Sequence, residues 1–263
     1  MKMDASMWVA KTGLTAQSTR MTVIANNLAN VNTVGFKKDR ANFEDLLYQR
    51  IVQAGSQADV QSETPTGLML GTGTRVVATE KIHRQGNMIS TENSLDLAIT
   101  GDGFFAVQQA DGTTSYTRDG AFKLSNAGEV VTTSGQALIP AINIPQDAQS
   151  ISVGRDGTIT VELANGGGAV QVGQFQITRF VNNAGLIPQG RNLYGETNAS
   201  GAPLVGIPGD QGAGMIIQGQ LEASNVNVVE EMVNMIETQR AYEINSKAIA
   251  AADGMLRFLN NNL

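Results

Sequence analysis

The side chains able to carry acid, base or nucleophilic chemistry are few in this chain, and their spacing does not suit it. His83 is the one histidine and there is no cysteine. A multi-histidine or thiolate metal site therefore lacks ligands, and a Ser-His-Asp triad would rest on a single imidazole. Beside Arg84, that imidazole reads as a surface or turn residue. Asp102, Asp111, Asp119 and Asp156 could supply the paired carboxylates of a glycoside hydrolase, yet each is followed by glycine. Asp-Gly is a hairpin signal, so all four read as turns. Gly101-Asp102-Gly103 and Gly166-Gly167-Gly168 lack the lysine and the strand-to-helix setting of a phosphate loop. Met7, Met21, Met232 and Met235 fall in helical stretches and read as packing residues rather than ligands. These residues predict no enzyme, no cofactor and no bound metal.

The two ends of the chain carry a clearer signal. Met7, Leu14, Met21 and Leu28 fall seven apart, and Val228, Met235, Tyr242, Ile249, Leu256 and Leu263 repeat the interval. That period belongs to helices that bury a narrow seam against other helices. The N-terminal helix, predicted from about residue 7 to 31, is weak. Gln17 interrupts a second row of Ala10, Ile24 and Val31, while Gly13 and the run of Thr12, Thr15, Ser18, Thr19 and Thr22 are poor helix formers. Alone it should be marginal. The C-terminal helix, predicted over 228–263, has Asn227 as its cap with Glu230 as reciprocal partner, and Glu237–Arg240 and Glu243–Lys247 as supporting pairs. The first 32 residues carry Lys2, Lys11 and Arg20 against Asp4. The last helix carries Glu230, Glu231, Glu237, Glu243 and Asp253 against Arg240, Lys247 and Arg257. Opposite signs favour pairing of the two ends, within a subunit or between subunits.

Between the helices, residues 54–73 are rich in Gly, Ser, Gln and Thr and read as a linker or extended excursion, with Gly67, Gly71 and Gly73 allowing tight turns. From about Arg75, short apolar runs separated by Asp-Gly, Asn-Ala-Gly and Gly-Gly steps predict antiparallel strands. The fold class is α+β, with terminal helices pairing as a coiled-coil domain, a connector, and a mainly antiparallel β central domain. The expected divisions are 1–30 with 228–263, a connector of 31–92 with 206–227 that includes the excursion, and a β-rich domain of 93–205. Aromatics at 5% against 29 glycines suit short strands and turns better than an aromatic-lined pocket. A net charge of -6 argues against nucleic acid as a partner. No stretch is long and apolar enough for a membrane span, and the start lacks the apolar core of a cleavable signal peptide, so neither membrane insertion nor N-terminal clipping is expected.

Four blocks in order then carry a family resemblance. Ala25-Asn26-Asn27-Leu28-Ala29-Asn30-Val31-Asn32-Thr33-Val34-Gly35-Phe36-Lys37 closely resembles the N-terminal signature of the bacterial flagellar rod and hook proteins. Asn93 to Phe105, with Gly101-Asp102-Gly103-Phe104-Phe105 at its end, resembles the block that opens their β domain. Tyr116-Thr117-Arg118-Asp119-Gly120-Ala121-Phe122 is similar to the next block, and Leu221 to Asn227 through Gln239-Arg240-Ala241-Tyr242 to the last. Length and the polar excursion resemble the distal-rod branch more than the proximal-rod or hook branches. The resemblance implies a structural subunit that passes unfolded through the type III export channel. It then assembles as a helical homopolymer, with an inner coiled-coil tube and an outer β domain, in the basal body spanning the periplasm. The partners it implies are other copies of the chain, proximal rod proteins, hook or hook-junction subunits, the rod cap, and the peptidoglycan-layer and outer-membrane ring proteins. In that frame Asn26, Asn27, Asn30 and Asn32 are expected to bridge neighbouring subunits, and the excursion to brace the rod. The alternatives are another rod or hook family member and an exported β-rich binding module.

Overall fold

The computed structural model describes residues 2–53, 57–59, 62–63, 66–164, 168–210 and 212–261. Leu263, Gly166, Gly167 and parts of the predicted excursion lie outside the described residues. The fold is α+β, with one long helix at each end and antiparallel strands between. The chain divides into two compact units, one of residues 1–28, 39–80 and 227–263, the other of 29–38 and 81–226.

The first unit holds α1 (Lys2–Ala29), α2 (Val228–Asn261) and a ribbon. Helix α1 starts before and stops short of its predicted span, because the backbone turns at Asn30, whose carbonyl accepts the Thr33 N–H at 3.2 Å. The threonines that weaken its propensity find internal partners. Thr15, Thr19 and Thr22 each donate to the carbonyl four residues back, at 3.1 Å in every case. Helix α2 is capped as the sequence predicts, with Asn227 Oδ1 accepting the N–H groups of Val229 and Glu230 at 3.0 and 3.3 Å.

The ribbon is nested. β1 (Asp39–Asp45) pairs with β6 (Thr74–Lys81), β2 (Gln49–Val52) with β5 (Leu68–Leu70), and β3 (Gln57–Asp59) with β4 (Ser62–Glu63). Ion pairs Arg40–Glu80 and Arg75–Glu44 fasten its base. The predicted excursion is thus the outer half of a two-stranded hairpin that begins at Asp39.

The second unit is built from β7 (Met88–Ser90), β8 (Leu97–Thr100), β9 (Phe105–Gln108), β10 (Thr114–Thr117) and later strands. β9 and β10 lie inside a five-stranded antiparallel sheet with strands Leu138–Ile139, Leu193–Gly195 and Ile187–Gly190. Strands Ala148–Val153, Thr158–Leu163 and Ala169–Gln174 form a three-stranded sheet. Alternation along Phe104 to Val107 sends Phe105 and Val107 to the main core, with Phe122, Phe175, Ile159 and Ile216. Phe104 and Ala106 go to a smaller cluster with Tyr116, Phe180 and Tyr194. Both faces of β9 are therefore buried, which explains its continuous apolar run.

Candidate functional site

Along the helices, small and polar residues make contacts between α1 and α2. Asn27 Nδ2 donates to Glu231 Oε2 at 3.3 Å, Arg20 Nη2 to Asn234 Oδ1 at 3.5 Å, and a methyl at Gly13 would stand 3.1 Å from Asn245 Nδ2. The partners descend along α2 as the positions ascend along α1, so the two helices run antiparallel. Among the described residues, Ala16, Ile24 and Asn27 are the buried ones of α1, and Glu231, Thr238 and Ala252 those of α2. The predicted heptad residues flank this row. Met7, Leu14, Met21, Leu28, Val228, Met235, Ile249 and Leu256 are half-buried, and Tyr242 is exposed. Further round α2, Val229, Met232, Val233, Ile236, Ile244 and Phe258 are each at least half exposed. Val229, Met232, Val233 and Ile236 recur at helical spacing, so they form an exposed apolar stripe.

The ribbon poses the same question. Leu47 is 90% exposed, and Tyr48, Ile51, Val52, Leu68, Met69 and Leu70 are also exposed, on both faces of the β2–β5 ladder. A two-stranded ribbon is marginal in water without a surface to lie on. Gly67 and Gly71 sit at its second strand. Gly71 lies against the Tyr48 ring, and Gly73, at φ +116, has no room for a side chain because a methyl would fall 2.1 Å from Thr12 Oγ1.

Of the four asparagines, Asn27 is spent inside the chain. It is 1% exposed, donates to the Asp39 carbonyl at 2.9 Å and accepts the Asp39 N–H at 2.8 Å. Asn26 is exposed and donates to Asp39 Oδ2, Asn30 Oδ1 accepts from the Thr33 hydroxyl, and Asn32 is exposed.

The residues first tested for chemistry serve local structure. Asp111, Asp119 and Asp156 accept N–H groups two residues on, closing their own turns. His83 is not at the surface as predicted. It packs edge-on against Phe104 and Tyr194 with centroids 5.6 and 5.5 Å away, because the strand exit aims it into the smaller aromatic cluster. Burial, reinforced by the charges of Lys37, Lys81 and Arg118, pushes its pKa down to about 4. Among the described residues, no group of three or more His, Asp or Glu could hold a metal, and no helix is long and apolar enough to cross a membrane.

One cluster escaped the sequence reading. Glu222, 1% exposed, accepts from Lys37 Nζ at 2.5 Å, Arg118 Nε at 2.6 Å and the Gly86 N–H at 2.8 Å. Arg118 also donates to the carbonyls of Ile99, Gly101 and Gly103, and Lys37 to that of Arg84. Burial alone would raise the Glu222 pKa, but the charges of Arg118 and Lys37 and their hydrogen bonds hold it below the usual carboxylate range. The three lie far apart in sequence. Their one common signal is that each sits within a family block.

The N-terminal region, part of the β unit and the C-terminal region each match a family model. Residues 7–37 match the flagella basal body rod protein, 98–161 the flagellar hook protein FlgE/F/G D1 domain, and 217–262 the flagellar basal body rod FlgEFG protein C-terminal. The chain is 53% identical to the flagellar basal-body rod protein FlgG of Buchnera aphidicola subsp. Acyrthosiphon pisum, over 98% of its length and 99% of the relative's. The chain belongs to the flagellar basal-body rod protein family. It is also 47% identical to FlgG of Borreliella burgdorferi, over 98% of both chains, and 41% identical to FlgG of Bacillus subtilis, over 97% of its own length and 98% of the relative's. The family's N-terminal block ends at Lys37 and its C-terminal block takes in Glu222, so the buried ion pair joins two regions that the family models mark.

Proposed function

We propose that this protein is a structural subunit of the flagellar distal rod, polymerising into a helical tube that transmits torque to the hook and supports motility. The observation that carries the reading is the apolar surface left open along α2 and the ribbon, in a chain similar over its whole length to rod proteins. Contacts of this kind, repeated between copies by an operation that does not close, generate a filament. In this reading, residues 1–30 with 228–263 form the assembly domain, and Met7, Leu14, Met21, Leu28, Val228, Met235, Tyr242, Ile249 and Leu256 are its coiled-coil seam. Residues 31–92 with 206–227 connect it to a β-rich outer domain of 93–205. Asn26, Asn30 and Asn32, besides the bonds the first two make within the chain, face neighbouring copies, and the ribbon around Gly67, Gly71 and Gly73 stiffens the rod. Export through the type III channel suits a helix that orders only on burial. The partners are further copies, the proximal rod, hook or hook-junction subunits, the rod cap and the rings of the peptidoglycan layer and outer membrane.

The test is to replace Leu28 or Ile249 with aspartate and follow rod assembly in isolated basal bodies. Both variants should be exported with an intact β unit and build no distal rod. Normal swimming by either would refute the tube role.

A further inference from the structure

The carboxylate of Glu222 stands where five segments of the β unit meet: Gly35–Lys37, Arg84–Gly86, Ile99–Gly103, Arg118 and its own strand, Gln220–Glu222. Its backbone takes part as well, since its carbonyl accepts the Gly35 N–H at 2.8 Å. The apolar core does not need it. That cluster runs from Leu97 to Ile216 and is complete before residue 222 is reached. Without Glu222, however, the same collapse would enclose two cations, Lys37 at 2% and Arg118 at 5% side-chain exposure, with only the weaker pull of the Asp102 carboxylate on Lys37 to offset them. Arg118 would keep its carbonyl partners, and Lys37 would keep that of Arg84. Those dipoles hold the Arg118 Nη groups and the Lys37 ammonium, but Arg118 Nε and the Gly86 N–H would lose their acceptor and the two charges would not be cancelled.

We propose that Glu222 is a completion gate. The β unit becomes able to fold only when the last segment before α2 delivers its carboxylate to Lys37 and Arg118. A core that could otherwise form from residues 97–216 is made conditional on a residue near the end of the chain. Lys37 and Glu222 are 185 positions apart, so the gate spans the whole unit. Partly synthesised or partly emerged chain is thereby kept open. The gate is a property of the unit itself, whatever the chain goes on to assemble.

The experiment uses the full chain, refolded from urea and followed by near-ultraviolet circular dichroism of the buried Tyr116 and Tyr194. Burial already lowers the Lys37 pKa, so refolding is followed in mild acid to keep the ammonium charged; in Glu222→Gln the buried charge then rises from one net positive to two, and refolding should slow by about tenfold or more while unfolding changes by about twofold or less. Lys37→Met together with Glu222→Gln returns the net charge to one, leaving Arg118 among its carbonyls, and should regain most of the lost rate despite having fewer hydrogen bonds. Should Glu222→Gln not fold at all, the double variant carries the test and must fold. Two results would overturn the gate. One is unchanged refolding with faster unfolding, which places the contact after the barrier. The other is a double variant as slow as, or less folded than, the single one, which makes the cluster a matter of shape and bonding rather than of charge.

Discussion

Replacing Asn27 with alanine should loosen the first unit far more than its small size suggests. The amide makes three bonds inside the chain, to both backbone groups of Asp39 and to the Glu231 carboxylate, and is 1% exposed. Alanine leaves the Asp39 N–H and carbonyl without that partner and removes a donor from the buried Glu231. An unsatisfied group at such a site costs about 1–3 kcal/mol. Asp39 is only half-buried, and Glu231 has other interactions, so the lower part of the range applies to each and the sum is about 2–4 kcal/mol. Urea titration of the helical circular dichroism signal measures it. Asn26→Ala is the control, because its bond to Asp39 Oδ2 is exposed and should be worth less than about 0.5 kcal/mol. Asn27→Asp keeps the acceptor for the Asp39 N–H but replaces the donor to Glu231 with a second carboxylate, so it should be at least as destabilising as Asn27→Ala. If Asn27→Ala matched Asn26→Ala, the claim that this amide links α1, the ribbon base and α2 would be wrong.

Three further outcomes are expected. Because His83 titrates near 4 when folded and near 6.5 when unfolded, the unfolded chain binds more protons between those values. Its contribution, up to about 3 kcal/mol, is therefore present above pH 6.5 and lost as the pH falls through about 4. His83→Phe should flatten the stability profile of the β unit over that window, and an unchanged profile would discard the assignment. Gly35→Ala should destabilise the β unit by about 3 kcal/mol or more, since the φ is +68 and the methyl would stand 2.8 Å from the backbone at Arg118–Asp119; a melting temperature equal to the parent's contradicts it. Deleting residues 49–70, which rejoins the neighbours Tyr48 and Gly71, should leave a rod that polymerises yet bends in electron micrographs, whereas a straight rod would make the ribbon a passive loop.

The sequence determined the elements whose signals are local. Heptads, the Asn227 cap and the Asp-Gly turns depend on residues within one or two turns of chain, so the two helices and the run of hairpins were legible from spacing alone. The family blocks were legible for the same reason. What it could not reveal were contacts between positions far apart. Propensity made 54–73 a polar excursion, and only pairing with residues from Gln49 onward turns it into a ribbon with apolar side chains on both faces. The heptad rows were visible, but the contacts of Gly13 with Asn245 and of Asn27 with Glu231, made by small and polar residues beside those rows, were not. His83 read as a surface or turn residue until the strands around Phe104 and Tyr194 enclosed the imidazole. The union of Lys37, Arg118 and Glu222 is the furthest from sequence. A buried charge has to find its counter-charge, and which acid meets which base is decided by the path of the whole chain, not by the residues on either side of it.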